Sequence, residues 1–165
     1  MKKIGLLSDT HGFLDPAIFS YFKDVDEIWH AGDVGDMKVI EELEAFKPVR
    51  GVYGNIDDHK IRLTWPKVQR FQCEGMKVLI THIGGKPYRY NQEAFEEMQK
   101  DKPDIFVCGH SHILLVQYDR KLEIMWLNPG ACGFKGFHKV KTILRFEIHD
   151  REMKNMEVIE LGQRV

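Results

Sequence analysis

The chain has 165 residues, and its 24 Lys and Arg against 25 Asp and Glu give a formal net charge of −1. A chain of this length fits one domain with its own core, and we predict a single domain over residues 1–165. The near-zero charge offers no basic surface for a long nucleic acid or an anionic membrane. Three widely spaced cysteines predict no disulfide framework, and with no long apolar run they favour a cytoplasmic location.

The first third of the chain alternates strands and helices. Short apolar runs at residues 4–7, 27–31 and 49–53 predict buried strands, and helices are predicted to begin at Asp15-Pro16 and after Asp36. This order predicts parallel strands joined by right-handed crossovers. The carboxyl ends of those strands then share one sheet edge, where open α/β sheets place their sites.

The rest of the chain is predicted to be richer in strands. After an irregular piece at 56–66, a hairpin is predicted at 68–73 and 76–81, a helix after Asn91, and a buried strand at 105–108. A second hairpin at 114–118 and 122–127 precedes a period-two strand at 140–148, which pairs with 153–161. Early parallel units followed by antiparallel strands predict an α/β fold of two stacked mixed sheets with helices outside.

Five strand ends each deliver side chains that can bind a metal. These residues are Asp9, His11, Asp33, Asn55, His82, His110 and His112. Seven ligands exceed the need of one ion and predict two metals that share a carboxylate, roughly 3.5–4 Å apart. The mixed oxygen and nitrogen set, without thiolate, suits manganese, nickel, iron, cobalt or zinc better than calcium. We expect two divalent transition metal ions, with manganese the first choice.

The order of these blocks resembles a known family. Asp9-x-His11, Gly32-Asp33, Gly54-Asn55, His82 and Gly109-His110-x-His112 are similar to the motifs of the calcineurin-like metallophosphoesterase superfamily. Asn128-Pro129-Gly130 resembles a segment of its small bacterial and archaeal branch, the YfcE-type phosphodiesterases. The resemblance implies the four-layer α-β-β-α sandwich of that family and a metal-dependent phosphodiesterase.

The resemblance also implies a role for each block. Asp9, His11 and His112 would hold one metal; Asn55, His82 and His110 would hold the other; and Asp33 would bridge them. Asp33, Asn55 and His82 would then act in catalysis through the metals and a metal-bridging hydroxide, which attacks the phosphorus of a small phosphodiester.

Two blocks depart from the family pattern: Ile56 follows Asn55 where relatives often carry histidine, and Ile83-Gly84 follows His82 where the family often has Gly-His. Isoleucine has no proton to give a leaving group, and His59, three residues on, is the candidate substitute donor. Asp57 is interpreted as a residue that orients a ligand or caps a turn, with the first preferred. His30 is interpreted as a structural histidine, and His138 and His149 as surface groups.

Two other functions fit the same blocks. A non-catalytic scaffold, like the retromer subunit that shares this fold, would have a degraded metal site, whereas all seven positions are filled here. A pyrophosphatase or nuclease would use the same site, although the neutral charge argues against a long nucleic acid. We therefore expect a small phosphodiester as substrate and no membrane partner, and a homo-oligomer stays open.

Overall fold

The computed structural model describes all residues from 1 to 165. The elements of the first half are β1 (Lys2–Leu7), α1 (Ala17–Tyr21), β2 (Glu27–His30), α2 (Met37–Phe46), β3 (Val49–Gly51), α3 (His59–Thr64), β4 (Val68–Cys73) and β5 (Met76–Thr81). Those of the second half are β6 (Gly85–Lys86), β7 (Arg89–Tyr90), α4 (Gln92–Lys100), β8 (Ile105–Val107), β9 (Leu115–Asp119), β10 (Ile124–Asn128), β11 (Val140–His149) and β12 (Glu152–Gln163).

Ten of the strands form two five-stranded sheets. The first sheet has the order β12-β11-β1-β2-β3 and the second the order β4-β5-β8-β10-β9. The strands β1, β2 and β3 are parallel, as are β5, β8 and β10. Antiparallel pairings complete each sheet, and β6 pairs with β7 in a separate small hairpin. The predicted fold class of two mixed sheets with flanking helices is confirmed.

Apolar side chains fill three layers between and around the sheets. The layer between the sheets includes Ile4, Trp29 and Val107, all fully buried. The helices α1 and α2 cover the outer face of the first sheet through Ile18 and Leu43, and α4 covers the second sheet. No helix combines the length and the apolar character that crossing a lipid bilayer would require.

The helix α3 corrects the expectation of an irregular piece at 56–66. Asp58 caps this helix by accepting a hydrogen bond from the Ile61 amide at 3.0 Å. Ile61 is the only fully buried residue of α3, so the sequence of this helix contains no repeat of apolar positions that would have predicted it. The predicted caps Asp36 and Asn91 are confirmed at the starts of α2 and α4.

The parallel strands of both sheets end at the same side of the molecule. The loops that follow β1, β2 and β3 carry the carboxylate and amide candidates from the first sheet. Those that follow β5 and β8 carry three of the histidines from the second sheet. The candidate centre therefore lies between the two sheets, at the carboxyl ends of five strands.

Candidate metal centre

The seven predicted ligands lie together in two adjoining groups. The first group comprises Asp9, His11 and His112, and the second comprises Asp33, His82 and His110; within each group the potential ligand atoms lie within 4.8 Å of one another. Asn55 adjoins the second group, because its Oδ1 lies 3.0 Å from His110 Nδ1. The division matches the two sets that the family resemblance implies.

Asp33 stands between the two groups. Its Oδ2 lies 3.5 Å from His11 Nε2 in the first group and 3.2 Å from His82 Nε2 in the second. Its Oδ1 accepts a hydrogen bond from the Ile56 amide at 3.1 Å, which holds the carboxylate in this orientation. One oxygen of Asp33 thus faces both groups at once.

Asp9 is fully buried, and hydrogen bonds to one of its carboxylate oxygens fix the orientation of the side chain. Its Oδ2 accepts hydrogen bonds from the Ser8 hydroxyl at 2.6 Å and from the His110 amide at 3.1 Å. Its Oδ1 faces His112 Nε2 at 3.1 Å. Burial alone would raise the pKa of Asp9, but the neighbouring rings of His11, His112 and His82 outweigh burial, so the pKa lies below its ordinary value. Asp9 is therefore an anion ready to bind a cation.

His82 is oriented by a backbone carbonyl. Its Nδ1 donates a hydrogen bond to the Ala31 carbonyl at 2.7 Å, so the neutral ring presents the bare lone pair of Nε2 to the centre. Burial opposes the charged form, but Asp33 and Asp9 outweigh burial and raise the pKa of His82. Burial also raises the pKa of Asp33 in isolation, but its contact with His82 leaves that pKa below its usual value.

Three buried polar atoms in the centre have no hydrogen-bond partner. They are Asp9 Oδ1, His11 Nε2 and His82 Nε2. A buried acceptor without a partner costs about 1–3 kcal/mol, and these three are all of the kind that binds a divalent cation. The residues present therefore fit a metal group, and the atoms of the site that lack partners are the ones that metal ions would use.

Most of the candidate ligands have an unusual backbone conformation. Eleven residues other than glycine have positive φ, and five of them are candidate ligands: Asp9, His11, Asp33, His110 and His112, with φ between 47° and 67°. Such conformations are uncommon for side-chain-bearing residues and concentrate at functional sites. The loops after three strands therefore accept local backbone strain in order to point these side chains inward.

Two motif glycines are required because neighbouring ligands approach them closely. A Cβ at Gly54 would lie 2.1 Å from Asp33 Oδ1, and one at Gly109 would lie 2.6 Å from Asp9 Oδ2. A side chain at either position would displace a carboxylate of the centre. The glycine before Asn55 and the glycine before His110 are thus part of the packing of the site.

His59 and Ile56 have different positions relative to the centre. Ile56 follows Asn55 directly, and its side chain is 47% exposed, so it is not a core packing residue. His59 is the exposed first residue of α3, and no hydrogen bond joins it to the predicted ligands. Its role as a proton donor stays a prediction.

Asp57 connects two of the ligand-bearing loops. It is 4% exposed, and it accepts hydrogen bonds from the amides of Val34, Gly35 and Gly54 at 2.8–3.1 Å. The loop that carries Asp33 is thereby tied to the loop that carries Asn55. Asp57 acts as a positioning residue.

Asn128 is a second positioning residue, which was not predicted from the sequence. Its Nδ2 donates hydrogen bonds to the Gly109 carbonyl and to Ser111 Oγ at 3.1 and 3.0 Å, which steadies the loop carrying His110 and His112. The Asn-Pro-Gly segment was the signal: its asparagine is the last residue of β10, the strand next to β8, which this loop follows.

Two other histidines differ in how well they were predicted. His30 is fully buried, accepts a hydrogen bond from the Gly32 amide at Nδ1, and lies 3.1 Å from Thr10 Oγ1. Burial lowers the pKa of His30 to about 3, so its structural role is confirmed. The surface assignment of His138 is wrong, because its ring is only part-exposed and lies 5.1 Å from the His112 ring.

Replacing Asp57 by asparagine should weaken metal binding and turnover by about 10–100-fold, the usual effect of removing a group that orients metal ligands. The amide nitrogen of the asparagine is itself a donor, and it would face backbone N–H groups from which the carboxylate now accepts hydrogen bonds. Metal affinity is to be measured by calorimetry, and turnover with an aryl phosphodiester. The matched control is Asp58→Asn, since asparagine caps a helix as well as aspartate. Equal, small effects of the two substitutions would contradict the positioning role.

Comparison with known proteins places this geometry in a family. The model of the calcineurin-like phosphoesterase superfamily domain matches residues 1–151. A probable metallophosphoesterase of Methanothermobacter thermautotrophicus is 34% identical over 134 residues, which cover 78% of this chain and 76% of that protein.

Solved structures agree in fold. An archaeal phosphodiesterase has a TM-score of 0.75 at 24% identity and covers 95% of this chain and 99% of its own. Vps29 of Entamoeba histolytica, solved with Zn²⁺, has a TM-score of 0.74 at 15% identity and covers 97% and 98%. The chain belongs to the calcineurin-like phosphoesterase superfamily and is a metal-dependent phosphoesterase.

Proposed function

We propose that the chain is a phosphodiesterase with a dinuclear metal centre that hydrolyses a small phosphodiester. The observation that carries the proposal is the single Asp33 carboxylate oxygen that faces His11 in one ligand group and His82 in the other. A shared carboxylate is what a pair of metals needs to stay close in spite of their charge. Manganese is the metal we propose, with nickel, iron, cobalt and zinc as alternatives.

Each candidate ligand would have a defined role at the metal centre. Asp9, His11 and His112 would hold the first metal, and Asn55, His82 and His110 the second, with Asp33 common to both. When bound, the metals supply a water of lowered pKa and positive charge for the phosphoryl oxygens. The Ala31 carbonyl keeps the His82 proton on Nδ1, away from the reacting group. Ile56, next to Asn55, supplies no proton to the leaving oxygen.

The scaffold function is the second candidate, and the fold shared with Vps29 supports it. The filled ligand set and the three unpartnered ligand atoms favour the enzyme, since a scaffold gains nothing from buried acceptors without partners. A pyrophosphatase or nuclease would use the same ligands and is separated from the diesterase by its substrates. The cytoplasmic location stays a prediction.

The proposed function is tested with aryl phosphodiesters of graded leaving-group pKa on the manganese-loaded protein. Without a proton donor, the rate should fall steeply as the leaving group becomes more basic, and 4-nitrophenyl phosphate, a monoester, should react more slowly than bis(4-nitrophenyl) phosphate. Ile56→His should flatten the dependence, because general acid catalysis contributes roughly 10²–10⁴-fold to poor leaving groups.

Three outcomes would count against parts of this proposal. No turnover of any diester, monoester or pyrophosphate, with both metals bound, would leave the scaffold function. Faster cleavage of the monoester than of the diester would overturn the diesterase assignment. A flat dependence in wild type, with chemistry rate-limiting, would show that a donor exists, and steepening in His59→Ala would identify His59 as that donor.

A further inference from the structure

A cavity of about 520 Å³ opens directly beside the second ligand group. Asn55 and His82 form its inner end, α3 and the start of β4 form one wall, and α4 forms the other. This volume lies within the range of small-molecule sites. Of the candidate ligands only Asn55 and His82 line the cavity, so most of it is left for another part of the substrate.

Arg62 is held at the inner end by contacts on three sides. Its Nε donates to the Asp57 carbonyl at 2.8 Å, its Nη2 donates to the Asn55 carbonyl at 3.3 Å, and its guanidinium lies 4.6 Å from the centroid of the Tyr53 ring. A guanidinium has five N–H donors, so three remain free on a group that lines the cavity. This fixed cation sits next to the candidate ligand Asn55 and suits a phosphoryl oxygen.

The outer wall carries negative rather than positive charge. Three glutamates of α4 line it, namely Glu93, Glu96 and Glu97. Glu97 is paired with Arg70 and Lys100 at 3.0 and 2.6 Å, so Glu96 is the acid of this wall without a cation. Lys67, the one other cation of the lining, is bound to Glu93 Oε2 at 2.8 Å, and the carboxylate of Glu96 contacts only the Gln92 amide at 3.3 Å. A second phosphate placed here would meet like charge, whereas hydroxyl and amine groups would find acceptors.

From this charge arrangement we infer that the cavity binds one ester arm of the substrate and that Arg62 contacts the phosphoryl group from the side of that arm. The arm is a neutral, hydroxyl-bearing group of about nucleoside size and not a polyphosphate chain. The inference rests on the proposed function and narrows its substrate class. Arg62 adds no general acid to the site, because arginine donates hydrogen bonds but keeps its proton.

The inference is tested by the binding of product-like monoesters to the manganese-loaded protein, measured by calorimetry and by competition with bis(4-nitrophenyl) phosphate. The probes are methyl phosphate, uridine 5′-monophosphate and uridine 5′-diphosphate. The monophosphate should bind at least about 10-fold more tightly than methyl phosphate, since its arm gains the contacts of the cavity. The diphosphate should lose that advantage.

Substitutions on the outer wall test whether the ester arm of the substrate binds in the cavity. In Glu96→Trp an indole fills the cavity from the exposed face of α4, so the affinity ratio of uridine monophosphate to methyl phosphate should fall close to one. The control Glu41→Trp, on the exposed face of α2, should keep the ratio of wild type. A ratio unchanged by Glu96→Trp, or no preference for the nucleotide in wild type, would overturn the assignment of the cavity.

Substitutions at the inner end test Arg62. Arg62→Gln should weaken the binding of methyl phosphate by about 10–100-fold, because it removes a charge-assisted contact. Arg62→Lys should recover part of this loss. The control Arg120→Gln, at an exposed position, should leave the affinity unchanged. If Arg62 only steadied the Asn55 loop, metal affinity would fall instead, and excess metal would restore phosphate binding. Normal turnover of bis(4-nitrophenyl) phosphate with no nucleotide preference would refute this inference alone; no turnover and no metal binding would refute the proposed function.

Discussion

Asp33→Ala is expected to abolish turnover, with a loss of at least roughly 10³-fold, because both metals would lose their shared anionic ligand. The two ions would also repel each other without the carboxylate between them. Wild type should bind two metals per chain by elemental analysis, and Asp33→Ala fewer. Asn55→Ala should mainly weaken the second metal, because Asn55 adjoins only the group that contains His110.

The control for this substitution is Asp24→Ala, which removes an exposed aspartate before β2 and should leave turnover unchanged. Circular dichroism and a melting curve establish that Asp33→Ala is folded. Folded Asp33→Ala, free of contaminating wild type, that kept normal turnover would rule out the two-metal mechanism.

Removing the metals is expected to eliminate activity and to lower the melting temperature. A ligand at 100 times its Kd stabilises the folded state by about 2.7 kcal/mol, and in a chain of this length each kcal/mol corresponds to about 2–4 °C. Chelation at neutral pH should therefore lower the melting temperature by several degrees. Manganese, nickel, zinc and magnesium are then restored separately, and we expect manganese to recover the most activity.

Acid should weaken metal binding through competition from protons at His82. The pKa of His82 is raised by Asp33 and Asp9, so a proton occupies Nε2 at a higher pH than in an ordinary histidine. Metal needs the neutral ring, and affinity should fall as pH falls through that raised pKa. Asp9 and Asp33, whose pKa values are lowered, stay ionised until much lower pH. Full activity in a metal-free preparation would refute the metal requirement.

The positions of the candidate ligands could be predicted because each follows a short apolar strand. Parallel strands bring their carboxyl ends together whatever the length of the intervening helices, so Asp9, Asp33 and Asn55 could be placed at one edge. The histidines of the second sheet required the order of the family's motifs, since nothing in strand periodicity indicates that the edges of two sheets coincide.

The supporting residues could not be predicted in the same way. Asp57 was predicted to orient a ligand, but Asn128 depends on contacts with Gly109 and Ser111, which are distant in sequence. Arg62 lines a cavity whose other wall comes from a distant helix, so neither of these two residues has a local pattern. The short helix α3, which carries Arg62, buries a single isoleucine and gives no repeat. His138 was misplaced because its loop returns to His112, a contact that no sequence spacing encodes.

The ligands of the candidate centre come from both sheets, and this determines when during folding the chain can bind its metals. Neither sheet alone offers a complete set, so a half-assembled chain should capture metal poorly. The strand β1, which precedes Asp9, also pairs with β11 near the end of the chain. We therefore expect metal binding to follow the docking of the two sheets. Once bound, the metal ions should slow the separation of the sheets.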